Sequence, residues 1–536
     1  MSKGEYSSVF EVKATDLAGR IGRLRTKSGV VETPALLPVI HPLYQTVSPD
    51  FIRKIGFSAV MTNAYIAMKS GGEAVRKNGI HRTIGFDGTV MTDSGGYQVL
   101  EYGDVDVSPE SMARFEEEIG SDIAVVLDKP TGSQTSRWYA EETVQETLRR
   151  DERTLAVKSR RDMLWTGPVQ GGIHLDLVEQ SARETGKLGF DVYALGSPTV
   201  VMEAYKFRLL AAMIVAAKRN LPMEQPFHLF GAGHPLTIPL AVALGCDLFD
   251  SASYMLYARE DRYLTDTGTV KLKDLSYLSC SCPVCTSTSL DELRRLPDHE
   301  RCDSIAVHNL YLLKKSVDEC KEAIREGRLW EHLGSKARCH PRLWEAFQTL
   351  TQYNDLLEEG TALYQSKGVF FIDATDENRP QVRRHRRRIV NDVEFRKPML
   401  ILLPEPDVRP SVKSQLYNSI VKVLGEASRE VQVCFLIHPY GLVPVEISDI
   451  YPLAQYESAI RPDAATPSPE VVEEIKRVVV GQGRFSRVVV LVDGAYSRGV
   501  AEGLRGTTDV RVVTTVEDPA EAAETVVSTL RDGNTG

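Results

Sequence analysis

Between Leu36 and Ser251 the chain repeats one pattern eight times: a short apolar run that ends in polar or glycine-rich residues, followed by a segment of helical periodicity. The runs are LLPVIHP, AVMTNAY, TVMTDSGG, AVVLDKP, GPVQGG, VYALGSP, FHLFGAG and DLFDSAS. Continuous apolar runs alternating with helices are the signature of parallel strands buried on both faces. Eight of them predict an α/β fold, a (β/α)₈ barrel, with a doubly wound open sheet as the rival because periodicity does not show closure. The polar ends gather on the carboxyl side of nearly every run, where barrel sites are built. In either architecture they converge on one face.

Beyond the eighth run lies a cysteine-rich insertion, Leu278 to Cys302, and then AVHNLYLLKKSVDECKEAIREG, in which Leu310, Leu313, Val317, Cys320 and Ile324 recur at helical spacing. Cys320 is therefore expected in a core. Past about residue 365 the character changes. RPQVRRHRRRIVNDVEFRKP is charged, and PMLILLPE, EVQVCFLIHPYGLVPVEI, RVVVLVDG and VRVVTTVED read as strands with helices such as SPEVVEEIKRVVVG between them. The expected organisation is a barrel domain over 1–365 and a smaller α/β region over 366–536, with LRDGNTG frayed at the end.

Composition changes this picture in three places. The start, MSKGEYSSVFEVKATD, lacks a signal-peptide pattern, and no apolar run approaches the roughly 20 residues of a membrane helix, so a cytoplasmic protein without a membrane partner is expected. The net charge of −9 offers no global attraction to a polyanion. A nucleic-acid partner would have to be held locally, and VRRHRRR (382–388) reads either as phosphate contacts or as a solvated charged face or set of partners for the acidic surface. Eight cysteines are too few for a disulfide scaffold, and three of them fall within six residues, CSCPVC.

Cys280, Cys282 and Cys285 suit Zn²⁺, which takes tetrahedral thiolate and imidazole ligands and needs one more. His308, Cys302, His299 and His340 are candidates. Four protein ligands would make a closed, structural site.

Asp93, Asp128 and Asp250 each end a strand-like run, and Gln170 ends another. A lone aspartate after a strand is usually a cap or turn residue, but three on one face beside Gly-rich turns point to chemistry. Two carboxylates converging on a sugar suit displacement at an anomeric carbon, one as nucleophile and one moving protons. A third carboxylate and an amide could read the edge of a flat heterocycle, with Tyr97 stacked on its face.

TDSGGYQ, LD at Leu127 and Asp128, VQGG, ALGSP, LFDS, and CxCxxC followed by HNLY together resemble the tRNA-guanine transglycosylases, most closely the archaeal type, over about Leu36 to Leu313. RPQVRRHRRRI and IHPYGLVPVEISDIYPLAQYE resemble the extra carboxyl-terminal region of archaeal members. The resemblance implies Asp250 as the nucleophile that displaces guanine from the ribose and Asp93 as the general acid/base. It also implies Ser94, Asp128, Gln170 and Gly196 as hydrogen-bonding partners of the base, Tyr97 as the stacking aromatic, and Cys280, Cys282, Cys285 and His308 as ligands of structural zinc. The implied reaction replaces guanine at tRNA position 15, in the D-arm, with 7-cyano-7-deazaguanine in archaeosine biosynthesis. A homodimer built near the zinc region is also implied. The PUA domain common in archaeal members is not recognisable before TLRDGNTG, so either a separate PUA-domain polypeptide supplies that module or the carboxyl-terminal region holds tRNA. The competing readings are a non-catalytic RNA-binding subunit, disfavoured by the presence of both Asp93 and Asp250, and an enzyme that inserts deazaguanine into DNA.

Overall fold

The computed structural model describes residues 9–96, 107–132, 136–461, 464–482, 485–507, 509–514 and 518–531. The chain divides into two compact units, 1–360 and 361–536.

The first unit opens with an antiparallel sheet of β1 (Phe10–Asp16), β2 (Gly19–Thr26) and β3 (Gly29–Thr33). Eight parallel strands follow: β4 (Ala35–Pro38), β5 (Ala59–Asn63), β6 (Thr89–Asp93), β7 (Ile123–Val125), β8 (Leu164–Val169), β9 (Val192–Leu195), β10 (Phe227–Leu229) and β11 (Leu248–Ser251). They pair in the order β4-β11-β10-β9-β8-β7-β6-β5. A parallel bridge between Val39 and Met61, with Ile40 N–H donating to Met61 O at 2.8 Å, joins the ends of this sheet. The barrel therefore closes, and the open-sheet alternative falls. Each apolar run of the sequence supplies one strand. β8, for example, is buried at all six positions, as a strand covered by helices outside and side chains inside must be.

The barrel interior is filled by Leu37, Met61, Met91, Ile123, Val125, Leu164, Val192 and Leu248, which pack with Phe10, Leu24 and Val31 of the leading sheet. That sheet, joined directly to β4, plugs the amino end. The carboxyl end is left for loops and a cavity. Outside, helices turn one apolar face to the barrel. The helix Pro109–Glu118 starts at Ser108, whose Oγ accepts from Ser111 N–H at 3.2 Å with Pro109 at the first position, and it buries Met112, Ala113 and Phe115.

After β11 come a hairpin, β12 (Arg262–Thr265) and β13 (Gly268–Lys271), and the 29-residue helix Asp298–Glu326. This helix takes up the last residues of the cysteine-rich insertion and buries Cys320 completely.

In the second unit a five-stranded sheet has the order β17-β16-β15-β19-β20, from β15 (Met399–Pro404), β16 (Val431–Ile437), β17 (Gly441–Pro444), β19 (Arg487–Val492) and β20 (Val510–Thr514), with only β17 antiparallel. β14 (Val369–Phe371) pairs with β18 (Tyr456–Ser458). Alternate residues of β15 enter different cores: Ile401 and Leu403 join Ile420 and Val526 on one face, and Leu400 and Leu402 join Ile475 and Val500 on the other. Helices thus cover both faces. The segment LRDGNTG is described only through Arg531, where the helix Pro519–Arg531 ends.

The basic stretch lies on the helix Pro380–Asn391. Arg384 is buried and donates to Ala362 O at 3.2 Å and Thr361 O at 2.6 Å. Arg386 is buried against Glu474 at 2.5 Å, and Arg383 pairs with Glu470 at 2.8 Å. Of the two readings of VRRHRRR, these three arginines follow the second, that of ionic and hydrogen-bonding partners inside the unit.

Candidate active site

The carboxyl ends of the strands surround a cavity of about 1190 Å³ whose lining includes Asn63, Asp93, Asp128, Gln170, Gly196 and Asp250. Five of the expected site residues thus meet in one place. Ser94 lies fully buried beside Asp93, and its hydroxyl has no hydrogen-bond partner among the described residues. Tyr97 lies outside the described residues.

Asp93 ends β6, where register pairs it with Asn63 on β5. Asn63 Oδ1 caps the next helix by accepting from Ile66 N–H at 2.8 Å, which turns its Nδ2 toward Asp93 Oδ2 at 2.9 Å. Gly95 N–H donates to Asp93 Oδ1 at 3.3 Å. Burial first, and then the negative charge of Asp128, push the Asp93 carboxyl up to about 7, against the pull of these donors. Such a group can take or give a proton near neutrality.

Asp128 follows β7 and is buried. Burial pushes its carboxyl up to about 6, opposed by the Gln170 hydrogen bond and the Arg150 charge. Arg150 also donates to the Asp128 carbonyl at 2.9 Å. Gln170, just after β8, donates from Nε2 to Asp128 Oδ2 at 2.5 Å. Its Oε1 accepts from Thr131 N–H at 3.0 Å, Thr131 Oγ1 at 3.2 Å and Ser197 Oγ at 3.1 Å. With that oxygen saturated, the amide is locked with its NH₂ toward Asp128. The glycines allow this closeness: a Cβ on Gly96 would overlap the Asp128 carboxylate, and one on Gly196 the Gln170 amide.

Asp250 on β11 has Oδ1 held by His228 Nε2 at 2.9 Å and by Gly231 N–H at 3.0 Å. Its Oδ2 takes no hydrogen bond from any described residue, and Asp250 lines the cavity. Asn63, which meets Asp93, and His228, which meets Asp250, are residues of this site that the sequence reading did not single out; each is a polar residue in a largely apolar run.

Apart from the cavity, Cys280, Cys282, Cys285 and His308 bring their ligand atoms within 4.8 Å of one another. His308 Nδ1 lies 3.5 Å from both Cys282 Sγ and Cys285 Sγ, while Nε2 donates to Leu264 O at 2.9 Å and Tyr263 stacks on the ring at 3.5 Å. That second hydrogen bond fixes the tautomer and aims Nδ1 at the thiols, as in ligating histidines generally. The donor set and its spacing fit a metal ion. His299 is exposed beside Glu300, His340 caps the helix Pro341–Gln348, and Cys302 lies against Met255, so none of these joins the cluster.

A closed barrel with carboxylates at the carboxyl ends of its strands around a cavity is the arrangement in which barrel enzymes build their active sites. Residues 16–342 match the family described as queuine tRNA-ribosyltransferase, and residues 382–533 match a domain of unknown function, DUF5591. The chain belongs to the queuine tRNA-ribosyltransferase family. It is 44% identical over 462 residues to a tRNA-guanine(15) transglycosylase of Pyrobaculum aerophilum, a match spanning 85% of this chain and 91% of that protein. Proteins of the same name from Saccharolobus solfataricus (40% over 484 residues, 88% and 94% of the two chains) and Aeropyrum pernix (50% over 355 residues, 66% and 69%) are also similar. No described helix is long and apolar enough to cross a membrane.

Proposed function

We propose that the protein exchanges guanine at position 15 of tRNA for 7-cyano-7-deazaguanine, the base-exchange step of archaeosine biosynthesis. Family membership and the name shared by its relatives support tRNA guanine exchange. The observation that carries the mechanism is the division of labour on the rim. Asp250 presents one free oxygen, Asp93 has a carboxyl poised near neutrality, and Gln170 and Asp128 form a rigid donor–acceptor pair.

Asp250 Oδ2 attacks C1′ of the ribose, the C1′–N9 pair departs with guanine, and Asp93 protonates the leaving base. An aspartyl-ribose ester remains. Asp93 then takes the N9 proton of the incoming base, N9 bonds C1′, and the C1′–Oδ2 pair returns to Asp250. Gln170 donates to the O6 acceptor of the base, Asp128 accepts from its N–H groups, and the Gly196 backbone and Ser94 hydroxyl line the remaining edge. Both guanine and the deazaguanine present this edge.

Cys280, Cys282, Cys285 and His308 would hold zinc, which when bound supplies a structural cross-link. Metal analysis of the purified protein and its Cys282→Ala variant, with loss of about one equivalent expected in the variant, tests this.

The exchange is tested by incorporation of radiolabelled guanine into an unmodified tRNA transcript. Incorporation that disappears with Asp250→Ala and with a transcript lacking guanine at position 15 is the expected result. Labelling of duplex DNA instead, or of the position-15 variant at the wild-type rate, would overturn the assignment.

A further inference from the structure

The structure assigns a positioning role to His228, in an inference that rests on Asp250 being the nucleophile. His228 holds Oδ1, leaves Oδ2 as the oxygen that bonds to the ribose, and favours recovery of the carboxylate when that bond breaks.

Two residues on adjacent strands make this arrangement. β10 and β11 pair in register with His228 opposite Leu248, so Asp250, two residues further on, shares a sheet face with His228. The imidazole is fully buried, rests on the Phe230 ring at 4.8 Å, and makes its one described hydrogen bond to Asp250. Nδ1 has no partner among the described residues. A carboxylate only accepts, so Nε2 carries the hydrogen of this bond, and Nδ1 is left buried without a partner. Burying an unpaired polar nitrogen costs stability. An apolar residue would fill the same space without that cost, so packing does not account for a histidine here.

The donors act unequally along the reaction. Hydrogen bonds to an ionised acceptor are roughly twice as strong as those to a neutral one. While Asp250 is a carboxylate, His228 Nε2–H and Gly231 N–H bind a charged Oδ1. Once Oδ2 has bonded to C1′, the negative charge has passed by way of the departing base to Asp93, and Oδ1 is an ester carbonyl. Both donors therefore stabilise the carboxylate over the ester and lower the barrier of the second displacement, in which the incoming N9 bonds C1′ and the C1′–Oδ2 pair returns to Asp250. Loss of His228 should leave the ester standing for longer.

The test uses the full-length protein, an unmodified tRNA transcript and labelled guanine, with wild type, His228→Phe and His228→Gln compared. Two quantities are read: steady-state kcat with KM for tRNA, and the fraction of enzyme running as a covalent tRNA adduct on a denaturing gel during turnover. Phenylalanine keeps the bulk without the donor, and kcat is expected to fall by about 10²-fold with KM nearly unchanged and the adduct fraction raised several-fold. Glutamine restores a donor and should recover about tenfold or more of that loss, with the adduct fraction returning toward wild type. His228→Phe with wild-type kcat and adduct would overturn the inference. So would equal impairment of both variants with an unchanged adduct fraction, which is the signature of packing alone. If wild type itself incorporates no guanine, the proposed function fails and this inference with it, an outcome distinct from an active wild type with indifferent variants.

Discussion

The same residue type stands at both ends of the barrel strands and does opposite things. At the amino ends, Asp122, Asp191 and Asp247 each turn a carboxylate onto the neighbouring strand, accepting from Val90 N–H at 2.7 Å, Trp165 N–H at 3.0 Å and Phe227 N–H at 2.8 Å. Asp247 also accepts from the buried Arg20, and Asp122 from Ser28 Oγ at 2.7 Å. At the carboxyl ends, Asp93, Asp128 and Asp250 line a cavity, and the backbone donors there, Gly95 N–H to Asp93 and Gly231 N–H to Asp250, come from loops beyond the strands rather than from strand residues. The segments DIAVVLD and DLFD carry one aspartate of each kind, one at the foot of the strand and one at its head. In this barrel, what a carboxylate does is decided by which end of the strand it occupies.

The widest separation between the two kinds is expected from Asp250→Ala, which should lower exchange by about 10³-fold or more while the melting temperature holds. A melting temperature that collapsed with it would break the comparison. Asp247→Ala should do the reverse, because it strands the Arg20 guanidinium in a buried site; removing one partner of a buried pair costs about 3–5 kcal/mol, readable in denaturant unfolding. Asp93→Asn removes the proton carrier and should cost about 10²–10⁴-fold in kcat with tRNA affinity retained in a filter-binding assay.

Asp128→Asn sharpens the comparison further. Asp93 must be ionised to take the proton of the incoming base and protonated to supply the departing one, so kcat/KM for the base should fall as pH drops through about 7 and kcat/KM for tRNA should fall as pH rises through it. Removing the Asp128 charge relieves one of the influences that raise Asp93, so the acid limb should move to lower pH even as base affinity falls. The smallest effect belongs to Arg383→Ala, whose pair with Glu470 is solvent-screened. A stability change within about 0.5 kcal/mol and an unchanged slope of tRNA affinity against salt are expected, and a flattened slope would return phosphate contact to this helix.

The eight strands and the three head-end aspartates were legible because buried parallel strands write continuous apolar runs and their ends break those runs abruptly. The leading sheet was not, since FEVKATD and GRIGRLRT are only half apolar. VVMEAYKFRLLAAMIVAAKRN reads as a single helical segment, but folds as the helices Thr199–Glu203 and Phe207–Lys218, interrupted at Tyr205 with φ of 52°. The partners of the arginine helix sit 87 and 88 residues away, at Glu470 and Glu474, beyond any local pattern. His228 and Asn63 were hidden for a different reason. A single polar residue inside an apolar run shows its purpose only when the facing strand is known.

The locked amide of Gln170 bears on fidelity. Three donors occupy its oxygen, so if Gln170 reads the base as proposed, the side chain cannot flip to welcome a ring that presents an amino group where guanine presents a carbonyl. Such a base would meet N–H against N–H in a desolvated pocket, and sites of this kind discriminate strongly because the mismatch leaves buried polar groups unpaired. On that reading, errors are refused at entry, before any base is joined to the ribose.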